Sequence, residues 1–233
     1  MWGKQRLSFE PHGRDVVLCD DADQSVRVAK AFAKGLACSV ISGDADVRGT
    51  LRDRIPKAAR DQAVGVLEAL RLDTDALEWR LKDASPLRRV LAGAIVAVLS
   101  GERALVVELG TFTAMPFDLA HIYRQLHAVH ATFHVPIVAV IVDPALITSS
   151  GEFLTVMGEQ GIVEAAPVVD ALSDPRSEHL LMRLEATPVP NPLAMQQRRV
   201  QRAGATTVNY SHTQILQLPT ADSIAMAGGD VAD

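Results

Sequence analysis

Three acidic residues follow an apolar segment near the start of the sequence. Asp20, Asp21 and Asp23 come directly after the run Val16–Cys19, and a helix-like segment follows them. Carboxylate oxygens gathered in a turn can bind Ca²⁺ or Mg²⁺. The same residue type is also favoured at a helix N-terminus, where it accepts hydrogen bonds from free backbone N–H groups. The sequence favours the second role, a solvated acidic turn that caps the following helix.

Two other groups could hold a metal ion. Glu108 ends an apolar run and could bind a cation, but a carboxylate that caps the turn after its strand is the simpler interpretation. His127, His130 and His134 have the spacing of one helical face, as a metal site requires. A proline follows His134 by two residues, so this histidine is expected beyond the helix end. Solvated or partner-facing histidines are therefore favoured over a metal site.

The elements that must position these residues are indicated by composition. The chain has 233 residues, of which 48% are hydrophobic and only 4% aromatic, so Ala, Val, Leu and Ile must build the core. That balance favours helices packed on a parallel sheet. A net charge of -5 argues against broad attraction to nucleic acid or anionic lipid. Cys19 and Cys38 stand in apolar surroundings, which indicates buried thiols in a reducing compartment, the cytoplasm.

No targeting or membrane segment is expected. The first fifteen residues have no apolar stretch after their basic residues, unlike a secretory signal peptide. The longest apolar run, Val90–Leu99, is about half the length that a bilayer-spanning helix needs.

The hydrophobic pattern predicts alternating strands and helices. Two apolar strands with a helix between them favour a parallel sheet that is covered by helices on both faces. The first two strands are predicted to form a hairpin around a Pro-His-Gly-Arg turn. The predicted strands are Leu7–Pro11, Asp15–Cys19, the run around Leu105–Glu108 and Val135–Val142, and the predicted helices are Gln24–Leu36, Ala58–Leu72, one that begins at Pro86 and Phe117–Thr132, with a further element at Gly151–Met157.

Composition changes towards the C-terminus. We expect one domain over residues 1–192 and an extended or partly disordered tail over residues 193–233, which is rich in Pro, Gln, Thr and Gly. The tail has one strand-like segment, Thr213–Leu218. Its basic group Gln196–Arg202 could contact lipid headgroups or a permease, and a solvated tail is the simpler interpretation.

The order of the segments from Glu102 to Leu184 resembles the second half of an ATP-binding cassette (ABC) ATPase, the motor domain of ABC transporters. The similarity extends over about Leu7–Pro192. A later segment is similar to the tail of the oligopeptide and dipeptide importer branch. The most specific match to the family is carried by Val156–Met157, Gly161, Ile162–Glu164 and Pro167. The similarity to the importer branch is carried by Asp174–Arg176, Leu180–Leu181 and Pro188–Pro190.

The resemblance implies a P-loop-NTPase-like α/β fold with a mostly parallel sheet and a reduced helical subdomain. It assigns the phosphate loop to Asp20–Val28, with Val26 at the lysine position and Arg27 and Val28 at the hydroxyl positions. A phosphate loop needs glycines, a lysine and a hydroxyl, and acidic residues in their place repel phosphate. Arg27 or Lys30 could in principle replace the missing cation.

The other family positions also differ. The resemblance assigns Glu108 to the Mg²⁺-binding carboxylate, but it puts Leu109 at the position of the general base and Val142, beside Asp143, at that of the switch histidine. A leucine can neither accept a proton nor orient water. The region of the signature loop, Leu81–Ser85, keeps little of its pattern. No glutamine loop is evident between residues 37 and 58, and Gln62, the nearest glutamine, falls inside a predicted helix.

The sequence therefore predicts a pseudo-ATPase without catalysis, and assigns no catalytic, cofactor-binding or metal-binding residue and no cofactor. The expected role is a structural or regulatory partner of an active ABC ATPase, a membrane permease or both, peripheral at the inner face of the cell membrane. A dimer is possible, and no nucleic acid is expected. Two alternatives remain: a divergent but active ABC ATPase that uses Glu108, Asp143 and Arg27, and a free-standing scaffold or sensor.

Overall fold

The structure, a computed structural model, describes residues 10–43, 48–111 and 116–186. They form a six-stranded sheet with helices on both of its faces. The strands are β1 (Arg14–Leu18), β2 (Val40–Ser42), β3 (Leu105–Glu108), β4 (Ile137–Ile141), β5 (Phe153–Gly158) and β6 (Gly161–Pro167). The helices are α1 (Ala22–Leu36), α2 (Leu51–Arg54), α3 (Arg60–Ala69), α4 (Pro86–Leu99), α5 (Pro116–Phe133), α6 (Ile147–Ser150), α7 (Val168–Ser173) and α8 (Glu178–Ala186).

The sheet is mostly parallel. Its spatial order is β2-β3-β4-β1-β5-β6, and every neighbouring pair is parallel except β5 and β6. The first strand therefore lies in the middle, between β4 and β5. Parallel strands require crossover connections, which α1, α4 and α5 supply. This arrangement confirms the predicted α/β class and the mostly parallel sheet.

Each face of the sheet has its own apolar core. On one face, Val28, Phe32 and Ala33 of α1 pack against strand residues such as Val106 and Val138. On the other face, α4 and α5 pack against the alternate residues of the same strands. Because every residue of β3 and β4 is buried, these strands are apolar throughout except at Glu108.

Helix α1 begins and ends where its sequence indicates. Asp21 has an extended backbone and its side chain accepts a hydrogen bond from the backbone N–H of Gln24, which is an N-cap. Apolar residues then recur at helical spacing and face the sheet. The helix ends at Ala37, whose backbone is left-handed. The predicted acidic cap is thus confirmed.

The segment between β2 and α4 is helical and short. Thr50 and Asp53 form a capping box at the start of α2, and α3 is the one described α-helix of this segment that exceeds four residues in length. Short 3-10 helices, Lys57–Ala59 and Thr74–Glu78, precede and follow α3. This is the reduced helical subdomain that the sequence predicts.

Several sequence predictions fall outside the described residues or need correction. The predicted strand Leu7–Pro11 lies almost entirely outside them, and so do the tail 193–233, its segment Thr213–Leu218 and its basic group. Cys19 is buried as expected, whereas Cys38 is only half-buried. In the part of the chain that the structure describes, no helix is long and apolar enough to span a bilayer.

Candidate functional site

The carboxyl ends of the parallel strands meet at one edge of the sheet, which is where open α/β sheets bind their ligands. The strand β1 ends there at Leu18, beside the end of β4 on one side and of β5 on the other. The strand β3 ends at Glu108, next to β4. The chain runs from β1 to β2, β3 and β4 on one side of β1, and its connection from β4 to β5 then crosses to the other side. The end of β1 is therefore a topological switch point.

The connection from β1 to α1 spans only three residues, Cys19–Asp21. The Asp21 carboxylate and carbonyl accept from the backbone N–H groups of Gln24 and Ser25. The Gln24 side chain accepts from the backbone N–H of Asp20 at 2.6 Å and donates to the carbonyl of Gly158. Of the amides that a phosphate loop would direct at its ligand, those of Asp20, Gln24 and Ser25 are thus hydrogen-bonded within the protein.

Ser25 connects the first turn of α1 to the end of β3. Its buried hydroxyl lies 2.6 Å from a carboxylate oxygen of Glu108 and 2.8 Å from the carbonyl oxygen of Ala22. Glu108 also accepts from the backbone N–H groups of Gly110 and Thr111 and from the Thr111 hydroxyl at 2.6 Å. Glu108 therefore caps the turn after its strand, as the simpler interpretation of the sequence expects.

The space around this carboxylate is tightly filled. A Cβ on Gly110 would lie 2.3 Å from the Ser25 hydroxyl oxygen and 2.7 Å from Val142, so only glycine fits there. Leu109, which the resemblance assigns to the general base, is 4% exposed and belongs to the main apolar core. The neighbouring Asp143 caps the next turn through the backbone N–H of Ala145.

Helix α8 contacts the end of β1. Arg183 donates to the Asp20 carboxylate at 3.1 Å, to the Asp20 carbonyl, and to the carbonyl of Val142. His179 lies 2.7 Å from the same Asp20 oxygen. These side chains are roughly a quarter exposed, so their pairing is partly shielded from water. Asp20 therefore binds α8 rather than pointing into an open loop.

Glu164 positions α8. This buried carboxylate on β6 accepts hydrogen bonds from the backbone N–H groups of Arg176 and Ser177 and from the Ser177 hydroxyl. The Ser177 hydroxyl in turn accepts from Leu180 in the first turn of α8. The Ile162–Glu164 segment that carries the family resemblance thus has a structural role here.

The geometry shifts the register that the resemblance assigns to the phosphate loop. In P-loop NTPases the loop hydroxyl and a strand-end carboxylate hold Mg²⁺ together. Ser25 makes this pairing with Glu108, whereas Arg27 and Val28, which the resemblance assigns to the hydroxyl, lie further along α1. With Ser25 at the hydroxyl position, the lysine position falls on Gln24 rather than Val26. In this register Ser25 supplies the hydroxyl, and the residue before it, Gln24, is neutral.

Other candidate residues do not join this site. Arg27 and Lys30 lie exposed on the outer side of α1. His127 contacts the Arg14 guanidinium, and His130 bonds to the carbonyl of Val135. Burial and the Arg14 charge hold the pKa of His127 below its usual value. In the described part of the chain no cluster of His, Cys, Asp and Glu suits a metal ion.

The region of the signature loop has structural roles. Leu81 is buried, and its backbone N–H donates to the carbonyl of Gly49. Ser85 caps α4 by accepting from the backbone N–H of Arg88, and Pro86 is the first helical residue. Both residues therefore have a role within the subunit.

Comparison with known proteins supports the fold. Neither a protein-family model nor a curated relative matches this sequence. The chain resembles the solved structure of CbiO1 from Clostridium perfringens, part of the ABC transporter complex CbiONQ, with a TM-score of 0.56 and 9% identity over 82% of this chain and 87% of that one. It also resembles the ADP conformation of MJ1267, an ATP-binding cassette of an ABC transporter, with a TM-score of 0.54 and 11% identity over 73% and 88%.

A third similar structure is a nucleotide-free ATP-binding cassette from an ABC transporter, with a TM-score of 0.55 and 11% identity over 72% of this chain and 88% of that one. The chain therefore has the P-loop-NTPase-like fold of ABC-transporter ATPases. At these identities the likeness concerns the fold, and function depends on the residues of the site.

Proposed function

We propose that this chain is a non-catalytic ABC-ATPase-like subunit, a pseudo-ATPase that acts as a structural or regulatory partner in an ABC-type transport complex. The observation that carries the proposal is the internal bonding of the loop Cys19–Asp21. The backbone N–H groups of Asp20, Gln24 and Ser25 already have acceptors within the protein, in Gln24 and Asp21. A triphosphate would have to displace these acceptors and lie beside the exposed carboxylates of Asp21 and Asp23, which repel it.

The Mg²⁺ and ATP that the fold family implies do not fit the described residues. Both oxygens of Glu108 accept hydrogen bonds within its own turn or from Ser25, and Gly110 packs against Ser25 too closely to leave room for an ion. Gln24 is neutral where the lysine of a phosphate loop would be cationic. The proposal therefore includes no chemical step at this edge.

The residues at the positions of the general base and the switch histidine support the same role. Leu109 is buried in the core and Val142 packs against Gly110, so neither can orient a water molecule or contact a γ-phosphate. Such a subunit can still stabilise a complex and transmit conformational changes within it. We propose an active ABC ATPase, a membrane permease or both as its partners, at the inner face of the cell membrane.

The partner role is tested by purifying the full chain from its native host after mild detergent extraction. We expect a multi-span membrane protein, an ATP-binding cassette ATPase or both to copurify in stoichiometric amounts. Loss of the copurifying protein on substitution of an exposed apolar residue, with retained folding, would identify the contact surface. If the chain purifies without either partner, it is a free-standing scaffold or sensor and the proposal is wrong.

One observation favours the second candidate, a divergent but active ATPase. The pair formed by the Ser25 hydroxyl and the Glu108 carboxylate is the pair that binds Mg²⁺ in P-loop NTPases. This candidate predicts phosphate release from Mg-ATP that is lost in Ser25→Ala and kept in Ser173→Ala, a substitution of a serine on α7. Our proposal predicts release at the level of the buffer alone for all three proteins.

A further inference from the structure

A cavity of about 190 Å³ lies between the edge strand β2 and helix α4. None of the residues that hydrogen-bond to Glu108 lines it, although Ser42, the neighbour of Glu108 across the sheet, does. Its walls are mostly aliphatic and include Ile41, Ala92 and Val96. Gly93 permits the close approach of the two elements, because a Cβ there would lie 2.8 Å from Ile41.

Two arginines line this apolar space. Arg54 reaches it from α2 and Arg89 from α4. Among the residues that the structure describes, neither guanidinium has a carboxylate within ion-pair distance. The Nε atom of Arg89 is buried and has no hydrogen-bond partner there. An arginine cannot lose its proton in a protein, so this N–H remains a donor without an acceptor.

The one carboxylate among the described lining residues is held by Ser39 and pairs with neither arginine. Glu102 also lines the cavity, but its two oxygens accept from the backbone N–H and the hydroxyl of Ser39 at 3.0 and 2.8 Å. The neighbouring Arg88 stacks over the ring of Trp79 and takes no part. The two lining arginines and Glu102 together carry a net charge of +1, which favours an anion in the cavity.

We propose that this cavity binds a small carboxylate with a short aliphatic body. A carboxylate is acceptor-only and matches the planar fork of a guanidinium, so it would pair with the Arg89 and Arg54 side chains that line the cavity. The aliphatic body would contact Ile41 and Val96. An inorganic phosphate has no apolar part to place against these walls, which is why a carboxylate is preferred. This inference does not rest on the proposed function.

The proposal is tested by calorimetric titration of the full chain with isovalerate, in the absence of nucleotide and partner. Isoamyl alcohol, which has the same body and no charge, and inorganic phosphate serve as comparison probes. We expect saturable binding of isovalerate that weakens about tenfold or more in Arg89→Gln and in Arg54→Gln. Binding in Arg27→Gln, an exposed arginine of α1 outside the cavity, should match the parent chain.

Three results would overturn the proposal. These are the absence of saturable isovalerate binding, equal or tighter binding of isoamyl alcohol or phosphate, and unchanged isovalerate affinity in both cavity variants. Circular dichroism reports whether each variant folds. Arg54 is exposed, so Arg54→Gln provides the decisive comparison if Arg89→Gln fails to fold.

Discussion

The buried hydroxyl of Ser25 donates a hydrogen bond of 2.6 Å to the carboxylate of Glu108, across 83 residues of sequence. The contact joins the first turn of α1 to the carboxyl end of β3. In an active P-loop enzyme this pair faces a metal ion, whereas here Glu108 is also the cap of its own turn. A pair of this kind can therefore remain for the stability of the fold alone.

Removal of the Ser25 hydroxyl should lower the stability of the protein, and Mg²⁺ should not affect that stability. Ser25→Ala leaves the buried Glu108 carboxylate without one donor, which should lower the free energy of unfolding by about 1–3 kcal/mol. Ser173→Ala, which removes a weaker hydroxyl contact on α7, should change it by less than about 0.5 kcal/mol. Urea denaturation measures both. A stability of the parent chain that rises with added Mg²⁺, and does not rise in Ser25→Ala, would favour a metal site.

Close packing at the site predicts a contrast between two glycines. Gly110→Ala places a methyl group 2.3 Å from the Ser25 oxygen, so we expect a loss of about 1–3 kcal/mol in the free energy of unfolding. Gly65 lies exposed within α3, and a Cβ at this position would meet no atom within 4 Å, so Gly65→Ala should stabilise by roughly 0.5–1 kcal/mol. If Gly110→Ala and Gly65→Ala change the free energy of unfolding in the same direction in chemical denaturation, the site is less tightly packed than described.

The contact between α8 and the end of β1 can be measured by a double-mutant cycle. Arg183→Gln should lower the free energy of unfolding by about 1–2 kcal/mol, because Asp20 and the carbonyl of Val142 lose a charged donor. Its coupling to Asp20→Asn should be about 1 kcal/mol, since both side chains are partly shielded. The matched control Arg176→Gln alters an exposed side chain and should be neutral. Additive effects of the Arg183 and Asp20 substitutions would show that the two side chains do not interact.

The buried carboxyl group of Asp15 predicts that stability depends on pH. Burial raises the pKa of its carboxyl above 3.8, and hydrogen bonds from His12 oppose this only in part. The folded state therefore holds this proton at pH values where the unfolded state has lost it. The contribution of Asp15 to stability should fall as pH rises from about 4 through the raised pKa, and stay constant below that range.

In Asp15→Asn this contribution is absent. The stability of the variant relative to the parent chain should therefore increase over the same pH interval, as measured by urea denaturation at a series of pH values. His12 is the titratable group that contacts Asp15, so His12→Gln, with Asp15 retained, is the control for histidine titration. A stability difference that does not change with pH would mean that the carboxyl titrates normally in the folded protein.

Local features of the fold could be predicted from the sequence because they depend on neighbouring residues. The acidic turn with Asp21 caps α1 and Pro86 begins α4, since caps and first-turn prolines act over three or four residues. The apolar runs at β3 and β4 predict buried parallel strands for the same reason. The helix end before His134 follows from the proline two residues later.

The contacts of the site could not be predicted in the same way. The pairing of Ser25 with Glu108 is not predictable, because nothing local to either residue reveals it and the resemblance assigns the hydroxyl positions to Arg27 and Val28. Arg183 and His179 meet Asp20 only because Glu164 fixes the start of α8. The one sequence signal for this contact is the carboxylate of Glu164. Its partners, Arg176 and Ser177, depend on the register of β5 and β6 and cannot be inferred from the sequence.

The central claim, that the loop Cys19–Asp21 and the start of α1 do not bind a triphosphate, is tested most directly by Mg-ATP. Thermal unfolding of the full chain is followed over a titration from micromolar to millimolar nucleotide. A ligand at a hundred times its dissociation constant would stabilise the folded state by about 2.7 kcal/mol. We predict no change in the unfolding temperature of the parent chain at any Mg-ATP concentration. A saturable rise that is lost in Ser25→Ala would contradict the account.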